Sequence, residues 1–326
     1  MFENLDGVPN SADSFLWADF AELRAVLHPD KAFSRGDLAS IATRSTDIGR
    51  TMEGENAEDA EDIEAEPLRK PKFNYESKWK DIIDFIETRS NRIGAAYPFE
   101  VSEDRDTIQL VADRSTWGRR TYLALLLAAS LRHIKRTRHH ELTRAFEETC
   151  LAVFEKLMPI GAEIRATWAA GGAEAPYRGT LYQKMLLVAN DLRVKPNFEE
   201  DDFKANDTGD GGIDLLAWHP MSDEQPGIPI AFAQCGCSRD DWRFKQLEAS
   251  PAKHYSHLPV QHPWATYYFM PLDLRKSNGR WAYASDIGQA IIVDRLRLIR
   301  LMEQYNLAAN APAPQILDDA LAAAIA

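Results

Sequence analysis

Two oxygen-bearing side chains stand at the ends of apolar runs, where strands would bury them. Asp214 follows a glycine-rich turn, Gly209-Asp210-Gly211-Gly212-Ile213, and leads into Leu215-Leu216-Ala217-Trp218. Gln234 closes a second run, Ile230-Ala231-Phe232-Ala233, twenty residues further on. A carboxylate buried without a partner is costly, and so is an unbonded amide. Both costs fall if the two oxygens share a cation. Carboxylate and carbonyl oxygens suit Mg²⁺, which keeps several of its waters. Such a site does metal-assisted hydrolysis, in which water is activated and developing charge is neutralised.

The elements that must position these groups are short apolar runs typical of strands over 213–218, 230–235 and 266–271, separated early on by Pro220, Pro226 and Gly227. An amphipathic helix is expected over 180–192, and a strand-to-helix segment over 290–306. Helix, strand, strand, helix, strand, helix is an α/β order with a mixed sheet. The first half reads differently. Apolar residues at helical spacing (Phe15, Leu16, Phe20, Leu23, Val26, Leu27) predict a helix over 14–30. Further helices are expected over 35–43 with Ser34 as cap, and over 79–92, 120–132 and 141–157. Short strands are expected over 99–101 and 107–110. The expected organisation is a mainly helical domain over 1–160, an α/β domain over 161–310 and a loose C-terminal tail over 311–326.

The stretch 209–214 with Gln234 resembles the core of PD-(D/E)XK nucleases, in particular Mrr-type restriction endonucleases, whose pattern reads GDGGID followed by a strand bearing QxK. The resemblance covers roughly 175–250, and it implies a restriction-endonuclease-like mixed sheet flanked by helices. By that resemblance Asp214 and Gln234 hold Mg²⁺ or Mn²⁺ and the main-chain carbonyl of Cys235 is a third oxygen. Asp210 is the turn residue and need not touch the metal. The family lysine belongs two residues after Gln234, where this chain has Gly236. A helix beginning near Ser238 would carry Lys245 two turns in, within reach of the strand ends, to assist the attacking water. Arg239 stays protonated and cannot act as a base. The family glutamate usually sits on the helix before the first strand. The helix over 180–192 offers Gln183 and Asp191 but no Glu.

The resemblance implies hydrolysis of phosphodiester bonds, with DNA as substrate, in a restriction or phage-defence setting that includes partner subunits. The alternative from another class is a catalytically degenerate nuclease-fold subunit that binds or senses nucleic acid or a protein partner. Gly236 and the missing helix glutamate motivate it.

Charge bears on this expectation. The chain has 326 residues, 38 basic and 50 acidic, for a net charge of −12. That balance opposes phosphate binding. Eight of the carboxylates, however, fall in Glu53–Glu66, a self-repelling stretch that reads as a solvated linker. The opposite bias lies at Arg132, Lys135, Arg136 and Arg138, which with Arg239 are the nucleic-acid-contacting candidates. The same basic run also suits a helix C-terminus. His254, His257 and His262 share a proline-bearing segment and read as a loop, not a metal site. No phosphate-cradling GxxxxGK[ST] motif occurs. The longest apolar run is about half the ~18–20 residues that span a bilayer, so no membrane partner is expected. The N-terminal residues lack the pattern of a signal peptide. Three cysteines, Cys150, Cys235 and Cys237, argue against a disulfide framework and place the chain in a reducing cytoplasm.

Overall fold

The computed structural model describes residues 1–5, 7–41, 74–168, 175–260 and 262–325. The acidic stretch Glu53–Glu66 lies outside the described residues. The chain divides into two compact units, Met1–His139 with Arg275–Arg280 and Pro314–Ala326, and His140–Leu274 with Trp281–Ala313.

In the first unit α1 (Ser14–Leu27) is buried at every residue from Phe15 to Leu27. A helix apolar nearly all round belongs in the centre of a unit, and this one does. Beside it lies an antiparallel sheet in the order β1-β3-β2, made of β1 (Ala32–Ser34), β2 (Phe99–Val101) and β3 (Thr107–Leu110). Residues 35–41 are helical. Ser34 and Asp37 cap them reciprocally: Asp37 N–H donates to Ser34 Oγ at 3.2 Å and Ser34 N–H to Asp37 Oδ2 at 2.8 Å. α2 (Tyr75–Ile93) turns Trp79, Ile82, Ile83, Phe85, Ile86 and Arg89 inward, and α3 (Trp117–Ala128) buries Tyr122.

Arg89 is the exception on that apolar face. Its Nη1 donates to Asp19 Oδ1 and to Glu22 Oε1, both at 2.8 Å, and to Tyr122 Oη at 3.1 Å. Tyr97 and Tyr122 each donate to the Glu22 carboxylate at 2.6 Å. Arg89, Asp19 and Glu22 are 1%, 6% and 0% exposed. Charges this deep persist only because each is bonded.

The C-terminal residues are docked here, not loose. α9 (Gln315–Ala322) buries Ile316, Leu317 and Ala320. Asp318 pairs with Arg120 at 2.8 Å and Asp319 with Arg138 at 2.9 Å. Lys31 Nζ donates to Ala323 O at 2.6 Å.

The second unit holds a five-stranded mixed sheet in the order β4-β5-β6-β7-β8. Its strands are β4 (Glu163–Ala166), β5 (Leu215–Trp218), β6 (Ile230–Cys235), β7 (Pro263–Phe269) and β8 (Ile291–Val293). β4, β5 and β6 run antiparallel, whereas β7 and β8 are added in parallel. α4 (His139–Leu157) precedes the sheet, and Phe154 meets Tyr267 and Phe269 of β7 edge-on at 5.6 and 6.3 Å. α5 (Leu181–Asp191) brings Met185, Val188 and Ala189 into one core with Leu216, Trp218 and Phe232. α6 (Trp242–Lys245) and α7 (Pro251–His254) are single turns between β6 and β7. α8 (Arg295–Gln304) follows β8, capped by Asp294, whose Oδ1 accepts from Arg297 N–H at 3.1 Å.

The α/β class with a mixed sheet is present, and three boundaries differ from expectation. In the 1–160 segment the two expected strands gain a third, β1, which at three residues is too short to show a period. The division between units falls at His139, so α4 joins the α/β unit against β7. The helix expected near Ser238 begins at Trp242, because Ser238 Oγ and Asp241 close a turn, with Asp241 N–H donating to Ser238 Oγ at 3.1 Å. Among the described residues no helix is long and apolar enough to cross a membrane.

Replacing Arg89 with Met leaves Asp19 and Glu22 buried without their cation. The expected loss is about 3–5 kcal/mol of unfolding free energy, read as a lower denaturant midpoint.

Candidate functional site

Asp214 lies at the entrance of β5 and joins three strands. Its N–H donates to Ala233 O at 2.9 Å, and its carbonyl accepts from Thr167 N–H, beyond β4, at 3.0 Å. Its carboxylate Oδ2 accepts the Cys235 N–H, at the end of β6, at 2.6 Å. The residue is 4% exposed. The Cys235 main chain thus meets Asp214 through its N–H, whereas the resemblance implies a role for its carbonyl.

The glycine turn delivers Asp214 to this place. Gly211 and Gly212 have φ of 69° and 88°, the left-handed region that glycine enters without steric cost. A Cβ at Gly212 would also stand 2.8 Å from Glu248 Cβ. Asp210 Oδ1 accepts the Gly212 N–H at 2.8 Å. Lys184 of α5 is buried, and its Nζ donates to Thr208 O at 2.6 Å and Gly209 O at 3.0 Å. The ammonium therefore braces the turn from below, its charge satisfied by carbonyls.

Carboxyl groups converge on this point. Burial pushes the Asp214 carboxyl well above the usual range, and the negative charge of Asp210 pushes it further. The Asp210 side chain is in hydrogen-bonding contact with it, while the Cys235 N–H works in the opposite direction. Glu147, on α4, adds its own negative charge to Asp214. Burial raises Glu147 from 4.5 to about 7; Arg144 opposes the rise, and Asp210 and Glu148 add to it. Carboxylates this close share a proton or a cation.

Two further polar atoms in the site lack any partner among the described residues. Gln234 is 6% exposed and Tyr268 0%. Gln234 Oε1 and Tyr268 Oη are both buried and unbonded. Gln234 of β6 and Tyr268 of β7 face each other in the parallel register. Burial raises the Tyr268 hydroxyl well above its ordinary range. Gly236 sits beneath that hydroxyl: a Cβ there would be 2.1 Å from Tyr268 Oη. Gly236 is not among the positive-φ glycines, so space and not backbone conformation requires it.

Asp214 and Gln234 are the residues that could hold a hard cation here, through a carboxylate oxygen and the unbonded Oε1. Among the described residues no group of three or more His, Cys, Asp or Glu is drawn together tightly enough to hold an ion alone. Mg²⁺ does not need such a cage, since one or two carboxylates with waters suffice. The thiols are unsuited to it. Burial pushes Cys150, Cys235 and Cys237 up, which keeps them protonated.

Other expected residues fall elsewhere. Lys245 ends α6 and is felt electrostatically at Cys237, but forms no hydrogen bond or ion pair with Asp214 or Gln234. Its helix is one turn long, so the two-turn reach drawn from Ser238 is lost. Arg239 pairs with Asp240 at 3.5 Å. Arg132, Lys135, Arg136 and Arg138 lie in the first unit. There Arg132 donates to His133 at 2.9 Å and Arg138 is held by Asp319, while Lys135 and Arg136 are exposed. Gln183 caps α5 in a reciprocal pair with Thr180, and Asp191 accepts from Tyr177 Oη at 2.7 Å and Arg165 at 2.8 Å. The histidines diverge: His254 bonds Glu248 O at 2.7 Å, and His257 packs on Phe198 and Phe203.

Glu147 and Tyr268 are the residues that sequence reasoning missed. β4 lacks a strand-like pattern, so along the sequence α5 reads as the helix before the first strand. With β4 in place that helix is α4, which carries Glu147. Comparison of the chain with protein-family models, with curated proteins and with solved structures finds no match.

The raised Glu147 carboxyl makes stability depend on pH. Its protonated form is favoured in the folded state, so the contribution is full below 4.5 and is lost as pH rises through about 7. Glu147→Gln stays neutral and should gain on the wild type across that window, reaching about 2 kcal/mol above it. Denaturant titrations at pH 5 and pH 8 in chelator check this; equal differences at the two pH values would contradict it.

Proposed function

We propose that this chain is a Mg²⁺- or Mn²⁺-dependent nuclease of PD-(D/E)XK type, acting on DNA in a restriction or phage-defence setting. The observation that carries the reading is the buried Asp214 carboxylate at the start of β5, held by the Cys235 N–H, with the unbonded Gln234 Oε1 at the end of the neighbouring β6. The donors come from a turn, a helix before the sheet and two adjacent strands, in keeping with a restriction-endonuclease-like core. Asp214 and Gln234 would hold the cation, with the Cys235 main chain adjacent and Glu147 as the acidic group from the helix. A bound divalent cation supplies Lewis acidity and neutralises charge on the phosphate. The chain's own residues do the rest. The Cys235 N–H fixes the orientation of the Asp214 carboxylate, Lys184 and the Asp210–Gly212 contact hold the turn, and the carboxylates accept the proton of the attacking water.

A degenerate binding or sensing subunit is the second reading. It is favoured by Lys245, which forms no hydrogen bond or ion pair with Asp214 or Gln234.

Incubation with plasmid, linear DNA and RNA in Mg²⁺ or Mn²⁺ separates the two. Wild-type chain should cut DNA, and Asp214→Asn and Asp214→Ala should lose roughly 10²–10⁴-fold in rate. Equal cleavage by the variants removes the active-site assignment. No cleavage of any substrate, together with no Asp214-dependent heat on titration with either metal, supports the degenerate reading.

A further inference from the structure

The pairing of Gln234 with Tyr268 carries an inference beyond the acidic groups. Among the described residues one leaves a carbonyl oxygen without a donor, and the other a hydroxyl without an acceptor. They occupy opposed positions on parallel neighbours β6 and β7, so their side chains leave the sheet on one face. Tyr267 and Phe269 point the other way, against Phe154 of α4. A buried donor and a buried acceptor, both open and not bonded to each other, are what a single water requires. The neighbouring Gly236 has been kept free of a side chain by Tyr268 alone, because Cβ at that position would meet the hydroxyl at 2.1 Å and the ring carbon Cζ at 2.8 Å.

Resting on the nuclease reading, we infer that Tyr268 is a further residue of the site, whose hydroxyl positions the attacking water from the space a side chain at 236 would otherwise fill. The water donates one hydrogen to the lone pair of Gln234 Oε1 that the cation would leave free and the other to a neighbouring carboxylate, and accepts from Tyr268 Oη. Its remaining lone pair is left for phosphorus. In the step itself the water oxygen forms a bond to phosphorus and passes a proton to the carboxylate. The bond from phosphorus to the leaving oxygen breaks, and that oxygen takes a proton from solvent. Tyr268 ends unchanged, as does Gln234. Gly236 and Tyr268 thus form one device: the donor comes from the next strand, and the glycine makes room for it.

The test uses the full chain. Tyr268→Phe removes only the hydroxyl, which has no partner in the chain, so its melting temperature should not fall. Its single-turnover rate on DNA should drop about 10²-fold, with DNA affinity and Mn²⁺ affinity unchanged. A merely structural role would not separate rate from binding in this way. A second variant pair keeps the result decisive. Tyr268→Ala should be as slow as Tyr268→Phe, and Tyr268→Ala with Gly236→Lys, which frees the space and fills it with an ammonium donor, should recover at least tenfold. Tyr268→Phe cutting within twofold of wild type, while Asp214→Ala is inactive, overturns the role of Tyr268 alone. Wild-type chain that cuts neither DNA nor RNA overturns the nuclease reading, and this inference with it.

Discussion

The contact on which the α/β unit turns is the hydrogen bond from Cys235 N–H to the Asp214 carboxylate. A carboxyl group at 4% exposure cannot be left to itself, and this bond, at 2.6 Å, is its main-chain answer. It ties the start of β5 to the end of β6. The Asp214 carbonyl ties the same point to Thr167 beyond β4. Around that junction everything polar has to be accounted for: the turn by Lys184, the carboxyl pair by shared hydrogen bonding, and the Gln234 and Tyr268 oxygens by a guest. The site is therefore not an ornament on the sheet. Its unresolved charge is built into the strand register.

The first unit solves a comparable problem by the opposite route. Arg89, Asp19, Glu22, Tyr97 and Tyr122 close a network in which the charges answer one another inside the chain. Nothing is left over for a ligand. Around Asp214 the carboxyl groups repel one another, Lys184 is engaged by the carbonyls of the turn, and two polar atoms remain open among the described residues. The difference is between a buried network closed by its own charges and one in which polar atoms stay unbonded among the described residues. It also alters the meaning of the net charge of −12. Eight of those carboxylates belong to Glu53–Glu66, while the carboxylates at the site are the ones a cation would neutralise.

Much of the fold was legible along the chain. β2 and β3 fall on 99–101 and 107–110, and β6 on 230–235, because each alternates or runs apolar between clear turn residues. The long helices show their inward faces in the 3.6-residue period. β4, Glu163–Ala166, does not: with Glu163 and Arg165 in four residues it has no apolar run, and it is a strand because β5 pairs with it. Without it, the helix before the first strand reads as α5, which carries no glutamate. The docking of α9 was hidden for a similar reason, since Ala-rich sequence has little apolar signature until Arg120 and Arg138 meet its acids.

By itself the sequence determined the glycine turn, Asp214, Gln234 and the two apolar strands that bring them together, since left-handed turns and buried runs are local properties of residue type. Only the tertiary structure decided which other groups share the site. Tyr268 and Gly236 meet because two parallel strands pair in that register, and Glu147 acts on Asp214 only through the placing of α4. Their meeting depends on register and on the volume of a phenol ring, and neither quantity is written in the spacing of residues along the chain.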